Sequence, residues 1–353
     1  MNPVLEEQIT SVFGGLVLGE QSCWTSLFER SLLMPFWTRR KRREIDVQHE
    51  IDNLLTVTLP FALNQPTEAL VPGPGPRAEW FIFQLQLFIG KNGDASYSLE
   101  RTTAAWLKLA AEASDLRLTL SQLAALTNLR DGKTPPVTGH DNPHYFDDTA
   151  CYRSLVTAIF YADDLGTALE ATRLDAGITN AEDGIWGAQA ITAALVMAVR
   201  GADPSDCVDA AVQQLPKTSW IFEATTRALA CVQEGQTAFD LVAKLEATIV
   251  NHAYNYGDAA PETLPAVLAT IMSTRGDVER AFLVALALPR ITSSLAPLLG
   301  AFCGALGTLP DDALATLRTP LRGVALPFLA GTTLLGTLSG RAGGGIPHGP
   351  YTL

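Results

Sequence analysis

The sequence is short of positive charge: 25 Lys and Arg stand against 37 Asp and Glu among 353 residues, a formal net charge of −12. A nucleic-acid surface needs clustered basic residues over a face. No nucleic-acid partner is therefore expected. Cysteine is also scarce. Cys23, Cys151, Cys207, Cys231 and Cys303 form no CxxC pair and no even framework, and most adjoin apolar residues. That pattern fits reduced thiols in a cytoplasmic protein rather than a disulfide scaffold or a thiolate metal site. The motifs GxSxG, HExxH, the Walker loop and a strand-end GxGxxG are all missing, which removes the support for a serine hydrolase, a zinc hydrolase or a P-loop enzyme. Strand signals are few, and no linker or repeat divides the chain. The opening MNPVLEEQITSVFGG carries Glu6 and Glu7 where a signal peptide would carry basic residues, an argument against export by that route.

What the chain has in quantity is apolar residues at spacings of three and four. Residues 107–126, 188–199, 208–215, 220–232, 239–250, 264–272 and 278–288 each read as one helix, separated by Gly, Pro and Asp punctuation, with Ser205 and Asp311 placed to cap helices. The expected fold class is all-α, one large compact helical domain over residues 1–340 followed by a flexible tail, 341–353. Two uncharged stretches, 291–310 and 323–340, approach the length of a membrane span, but Thr292, Ser293, Ser294 and Pro297 interrupt the first, and Pro327, Gly331 and Gly336 the second. Both read as buried, so no membrane association is expected. Gly300, Gly304 and Gly307 recur as on the close-packed face of a central helix, and Gly15-x-x-x-Gly19 has the same small-residue spacing.

Several local features bear on chemistry. Arg39 to Arg43 form a single basic run, either a solvated turn, a localisation signal or a contact for a phosphate or acidic partner. HDNPHYFDDT, residues 140–149, gathers His140, Asp141, His144, Asp147 and Asp148 before a helix starting near Thr149. Such a cluster can hold a hard cation, or it can be turn chemistry in which Asp147 or Asp148 caps the helix. Glu20 follows the GxxxG.

The order of these segments resembles the ADP-ribosylglycohydrolase family from about residue 9 to about 320. SVFGGLVLGE (11–20) is similar to the family's opening helix, with Glu20 where the family has Asp. DDTACYRSLVTAIFY (147–161) resembles its GNGGAMR segment, with Arg153 kept. In 175–201, Asn180 stands where the family has His. Residues 261–310 follow the closing pattern of a helix, GGDTDT and an Ala/Gly-rich helix. The resemblance implies an all-α fold, ADP-ribosylglycohydrolase-like over 1–340, and cleavage of the bond between ADP-ribose and a side chain at a two-magnesium site. The ligands it implies come chiefly from TDDT and GGDTDT, because hard cations take oxygen donors and paired ones need several anions. GGDTDT falls on Pro289, Arg290, Ile291, Thr292, Ser293 and Ser294, so Ile291 and Ser293 replace its aspartates. TDDT falls near 78–86, where Glu79 is the nearest acid. No metal ligand set remains and no cofactor is expected.

Three readings follow. In the first, the fold persists without the hydrolase, and the cleft binds an ADP-ribose-like or phosphorylated molecule through Asp148, Thr149, Asn180, Arg290 and Ser293, with Arg290 neutralising phosphate. In the second, a hydrolase is rebuilt on Glu20, His140, His144, Asp147 and Asp148. In the third, the protein is structural or binds a protein partner.

Overall fold

A computed structural model describes residues 2–23, 73–89, 96–111, 116–251, 253, 257–288, 290–307, 309–310, 313 and 317–340. The basic run Arg39 to Arg43, Asp311 and the tail 341–353 lie outside them. Every regular element among the described residues is helical, and their only β pairing is the isolated bridge between Asp147 and Ala259. In chain order these are α1 (Pro3–Ser22), α2 (Pro76–Ile89), α3 (Leu99–Ala111), α4 (Leu120–Arg130), α5 (Val137–His140), α6 (Thr149–Phe160), α7 (Leu165–Ala176) and α8 (Asp183–Val199). Then follow α9 (Pro204–Val212), α10 (Trp220–Leu229), α11 (Ala238–Thr248), α12 (Ala260–Thr274), α13 (Val278–Leu286), α14 (Thr292–Ala305), a 3-10 turn (Pro327–Leu329) and α15 (Leu334–Leu338).

The apolar residues that dictate these helices differ in how far round the cylinder they extend. On α10 and α13 most of them occupy one stripe, and residues such as Glu223 and Glu279 face outward. On α8, α12 and α14 nearly every residue is buried, as expected of helices walled in by others. These three, with α1, α2 and α6, make the core. No described helix is long and apolar enough to cross a membrane; the stretch 291–310 is largely α14, and 323–340 holds only the 3-10 turn and α15.

The packing of α1 on α14 follows from glycine. A Cβ built on Gly15 would lie 2.6 Å from the Gly300 carbonyl carbon, one on Gly300 would lie 2.7 Å from that of Gly15, and Gly304 sits equally close to the Ser11 carbonyl. Two small-xxx-small faces are thus pressed backbone to backbone. Gly307 does not belong to that face. It lies past the end of α14 with φ of 74° and open space around it, so its role is to let the chain turn.

Two other expectations change. The run 107–126 is not one helix: α3 ends at Ala111, and a new helix starts at Leu120 because Thr119 and Gln122 form a reciprocal capping box. Leu107 and Leu123, both apolar positions of that run, are about half exposed. Ser205 lies inside α9, where Asp203 takes the N-cap position and Pro204 the first turn, so it is no cap.

Candidate functional site: buried carboxylates paired with arginine

The loop before α6 fixes the site. Asp148 N–H donates to the Asp258 carbonyl at 2.8 Å and Ala260 N–H to the Phe146 carbonyl at 3.0 Å, which ties 146–148 to the start of α12 and sets Asp148 beside Asp258. The cluster 140–149 then divides. His140 and Asp141 are exposed, His144 is half-buried beside Phe146, and Asp147 and Asp148 turn inward.

Asp147 builds structure. Its Oδ1 accepts from Thr149 N at 3.2 Å, Thr149 Oγ1 at 2.7 Å and Asn180 Nδ2 at 2.8 Å. Asn180 also donates to the Tyr145 and Asp147 carbonyls and accepts from Thr179 Oγ1 at 2.6 Å, while Thr179 accepts from the buried Arg153, itself paired with Asp175 at 2.8 Å. Thr149 and Asn180, expected on a ligand-binding rim, are thus buried members of one hydrogen-bonded network. Burial outweighs those bonds and raises the Asp147 pKa. The end of α6 is satisfied by Asp147, not by Asp148 at the N-cap position, whose side chain makes no capping bond.

Asp148 is different. Its Oδ2 accepts from Thr263 Oγ1 at 2.6 Å, its Oδ1 is buried without a partner, and burial followed by the negative Asp258 pushes its pKa far up. Asp258, one-quarter exposed, accepts from Arg77 Nη2 at 3.3 Å and from Ser294 Oγ at 3.1 Å. Arg77 leans over the Tyr152 ring, 5.6 Å from its centroid, and Tyr152 donates to the Ser294 carbonyl at 3.3 Å. Burial disfavours the Arg77 charge, yet Tyr152, Asp258, Asp148 and Glu20 hold the guanidinium firmly protonated.

Glu20 is fully buried, and its carboxylate accepts from Gly75 N at 2.6 Å, Arg77 N at 2.8 Å and Ala78 N at 3.3 Å. It is the anion at the N-terminus of α2, supplied from the last turn of α1. Desolvation raises its pKa against those bonds. Arg290 donates to Glu262 through Nε at 2.8 Å and Nη2 at 3.1 Å, both side chains nearly buried. Its charge is already balanced by a carboxylate. Ser293 is half-buried, and it is Ser294, one residue on, that reaches the cleft. Along 78–86, now part of α2, the Glu79 carboxylate turns away to accept from Val324, Ala325 and Leu326 N–H at 2.7–2.8 Å.

Sequence reasoning singled out Asp148 but passed over Asp258, Arg77, Glu262, Thr263 and Ser294. Asp258 read as punctuation in Gly-Asp-Ala-Ala-Pro, and Arg77 as the end of a Pro/Gly loop. The one available signal was placement: Asp258 lies three residues before the 261–310 stretch on which the resemblance rests, and Ser294 is the last residue of the part aligned with GGDTDT.

A family model of ADP-ribosylglycohydrolases matches residues 36–337. The chain belongs to that family. Among 37 matching solved chains, one titled "ADP-ribosylglycohydrolase-related protein complex" superposes with a TM-score of 0.56 at 14% identity, covering 92% of this chain and 95% of that one. At that identity the likeness is one of fold. No curated protein matches the sequence. The match starts after α1, whereas the opening resemblance began at about residue 9. The residues present do not suit the two magnesium ions that the family resemblance implies: Asp258 is paired with an arginine, and among the described residues no three His, Cys, Asp or Glu side chains gather closely enough to hold a metal.

Proposed function

We propose that this protein has lost the dimagnesium hydrolase and uses the family fold to bind an ADP-ribose-like or phosphorylated small molecule, in a binding or scaffolding role. The observation that carries this reading is the state of the cleft carboxylates: Asp258 is paired with Arg77 and Glu262 with Arg290. A cation pair would have to compete with two guanidinium groups for ligands it needs in full. Asp148 Oδ1, buried without a partner next to the Arg77–Asp258 pair, supports a ligand. An unsatisfied buried acceptor costs about 1–3 kcal/mol, which a bound hydroxyl or water would relieve.

The test is thermal shift or calorimetry with ADP-ribose, with and without Mg²⁺. Saturable stabilisation that ignores EDTA is expected, rising as RT ln(1 + [L]/Kd). No shift at millimolar ADP-ribose removes the ligand. EDTA-sensitive release of ADP-ribose from modified arginine or serine peptides overturns the loss of the hydrolase. The rebuilt-hydrolase reading is favoured only by Asp148, whose raised pKa suits a general acid. His140 faces solvent, and Glu20 and Asp147 are spent on backbone and network bonds.

A further inference from the structure

Arg77 Nη2 meets Asp258 Oδ1 at 3.3 Å, and Asp148 is held beside Asp258 by its N–H bond to the Asp258 carbonyl at 2.8 Å. Arg77 sits in the first turn of α2, one residue before the stretch to which the resemblance assigns one set of metal ligands. Its partner Asp258 is held by Ser294, the last residue of the stretch assigned the other set. The guanidinium is therefore at the junction of the two ligand-bearing segments. Its side chain is 8% exposed, stacked against Tyr152, with its backbone N–H fixed by Glu20. Arginine cannot lose its proton in a protein, so this charge is permanent.

We propose that Arg77 is a resident substitute for the divalent cation: a covalently attached positive charge that neutralises Asp258 beside Asp148 and ties α2 to the segments that open α6 and α12 and, through Ser294, to α14, where a metal would otherwise join them. The proposal rests on the reading that the metal site is lost, and it goes further by naming the group that took over the metal's structural work. It accounts for two neighbouring carboxyl groups, Asp148 and Asp258, standing where no metal ligand set is present. A buried carboxylate left without a counter-charge is strongly destabilising, so Asp258 needs a cation, and Arg77 supplies it.

The experiment compares the unmodified protein with Arg77→Ala, Arg77→Lys and Arg77→Ala/Asp258→Asn in thermal unfolding, each in EDTA, Mg²⁺ and Mn²⁺. The unmodified protein should be indifferent to all three. Arg77→Ala should lose about 4 °C or more in EDTA. It should regain about 2 °C with Mn²⁺ at ten times its Kd. Arg77→Lys should keep most of the stability without metal, and the double variant should not respond to Mn²⁺. Saturable Mn²⁺ stabilisation of the unmodified protein overturns both the proposal and the lost metal site. An Arg77→Ala protein as stable as the original, or one that ignores Mn²⁺, overturns the proposal alone. If Arg77→Ala does not fold, equilibrium dialysis of the unmodified protein against Mn²⁺ decides: stoichiometric retention refutes the substitution, and none together with a stable Arg77→Lys supports it. Failure to bind ADP-ribose leaves this result untouched.

Discussion

Replacing Glu262 by alanine tests the electrostatic account of the cleft most directly. The Arg290–Glu262 pair is bidentate, at 2.8 and 3.1 Å, with side-chain exposures of 6% and 1%, and Glu262 also accepts from Asn251 N at 3.1 Å. Glu262→Ala removes every one of those acceptors and leaves the guanidinium buried. Breaking a buried pair from one side costs about 3–5 kcal/mol. Unfolding entropy is about 2.1 cal/mol/K per residue, so 353 residues have about 0.7 kcal/mol/K and Tm should fall by about 4–7 °C. Glu262→Leu/Arg290→Met, which fills the space and leaves no charge, should recover most of that loss, because both desolvation costs vanish together. Differential scanning calorimetry of the three proteins reads the result. A Glu262→Ala protein within about 1 °C of the original would mean that Arg290 is solvated rather than committed to Glu262. Arg290 would then be available to an anionic ligand.

Other outcomes follow from named residues. Burial lifts the Glu79 carboxyl from 4.5 to about 7. The folded chain therefore holds a proton that the unfolded chain releases, so its contribution is full below pH 4.5 and is lost as pH rises through 7; Tm against pH should show that decline, and Glu79→Gln should flatten it. Gly300→Ala should push α1 off α14 and cost about 1–3 kcal/mol, whereas Gly307→Ala, with open space at φ of 74°, should cost only about 1 kcal/mol; equal losses in urea titrations would deny the close-packed face. Glu182 begins α8 at φ 42° and ψ −117°, a conformation that favours glycine, so Glu182→Gly should raise stability by about 1 kcal/mol, and a lower denaturation midpoint would show that the side chain itself is needed.

Helix positions were legible because burial on one face writes itself into spacing, and the Gly15/Gly19 and Gly300/Gly304 faces were legible because only glycine allows such approach. The 107–126 error shows the limit: leucines at helical spacing ran across a break that one capping box, Thr119 with Gln122, decides. The site was legible in half. The absence of carboxylates from 289–294, where the resemblance places GGDTDT, is plain in the sequence, and Asp148 stood out in a dense cluster. Its partners could not be read, since Arg77, Asp258 and Ser294 lie far apart in the chain and meet only through the 146–148 and 258–260 contact. The partner of Arg290 was hidden for the same reason: an arginine in the turn from α13 into α14 says nothing in sequence of Glu262, 28 residues before it in the first turn of α12.

Glu20 adds a consequence for where this protein can be cut. The family match begins at residue 36, which invites a truncation that discards α1. Such a truncation would expose the glycine face of α14 and strip the first turn of α2 of its anion, leaving Gly75, Arg77 and Ala78 N–H groups with nothing to bind. The boundary of recognisable ancestry therefore runs through the inside of a folding unit, and a fragment drawn along it would lack one wall of its own cleft.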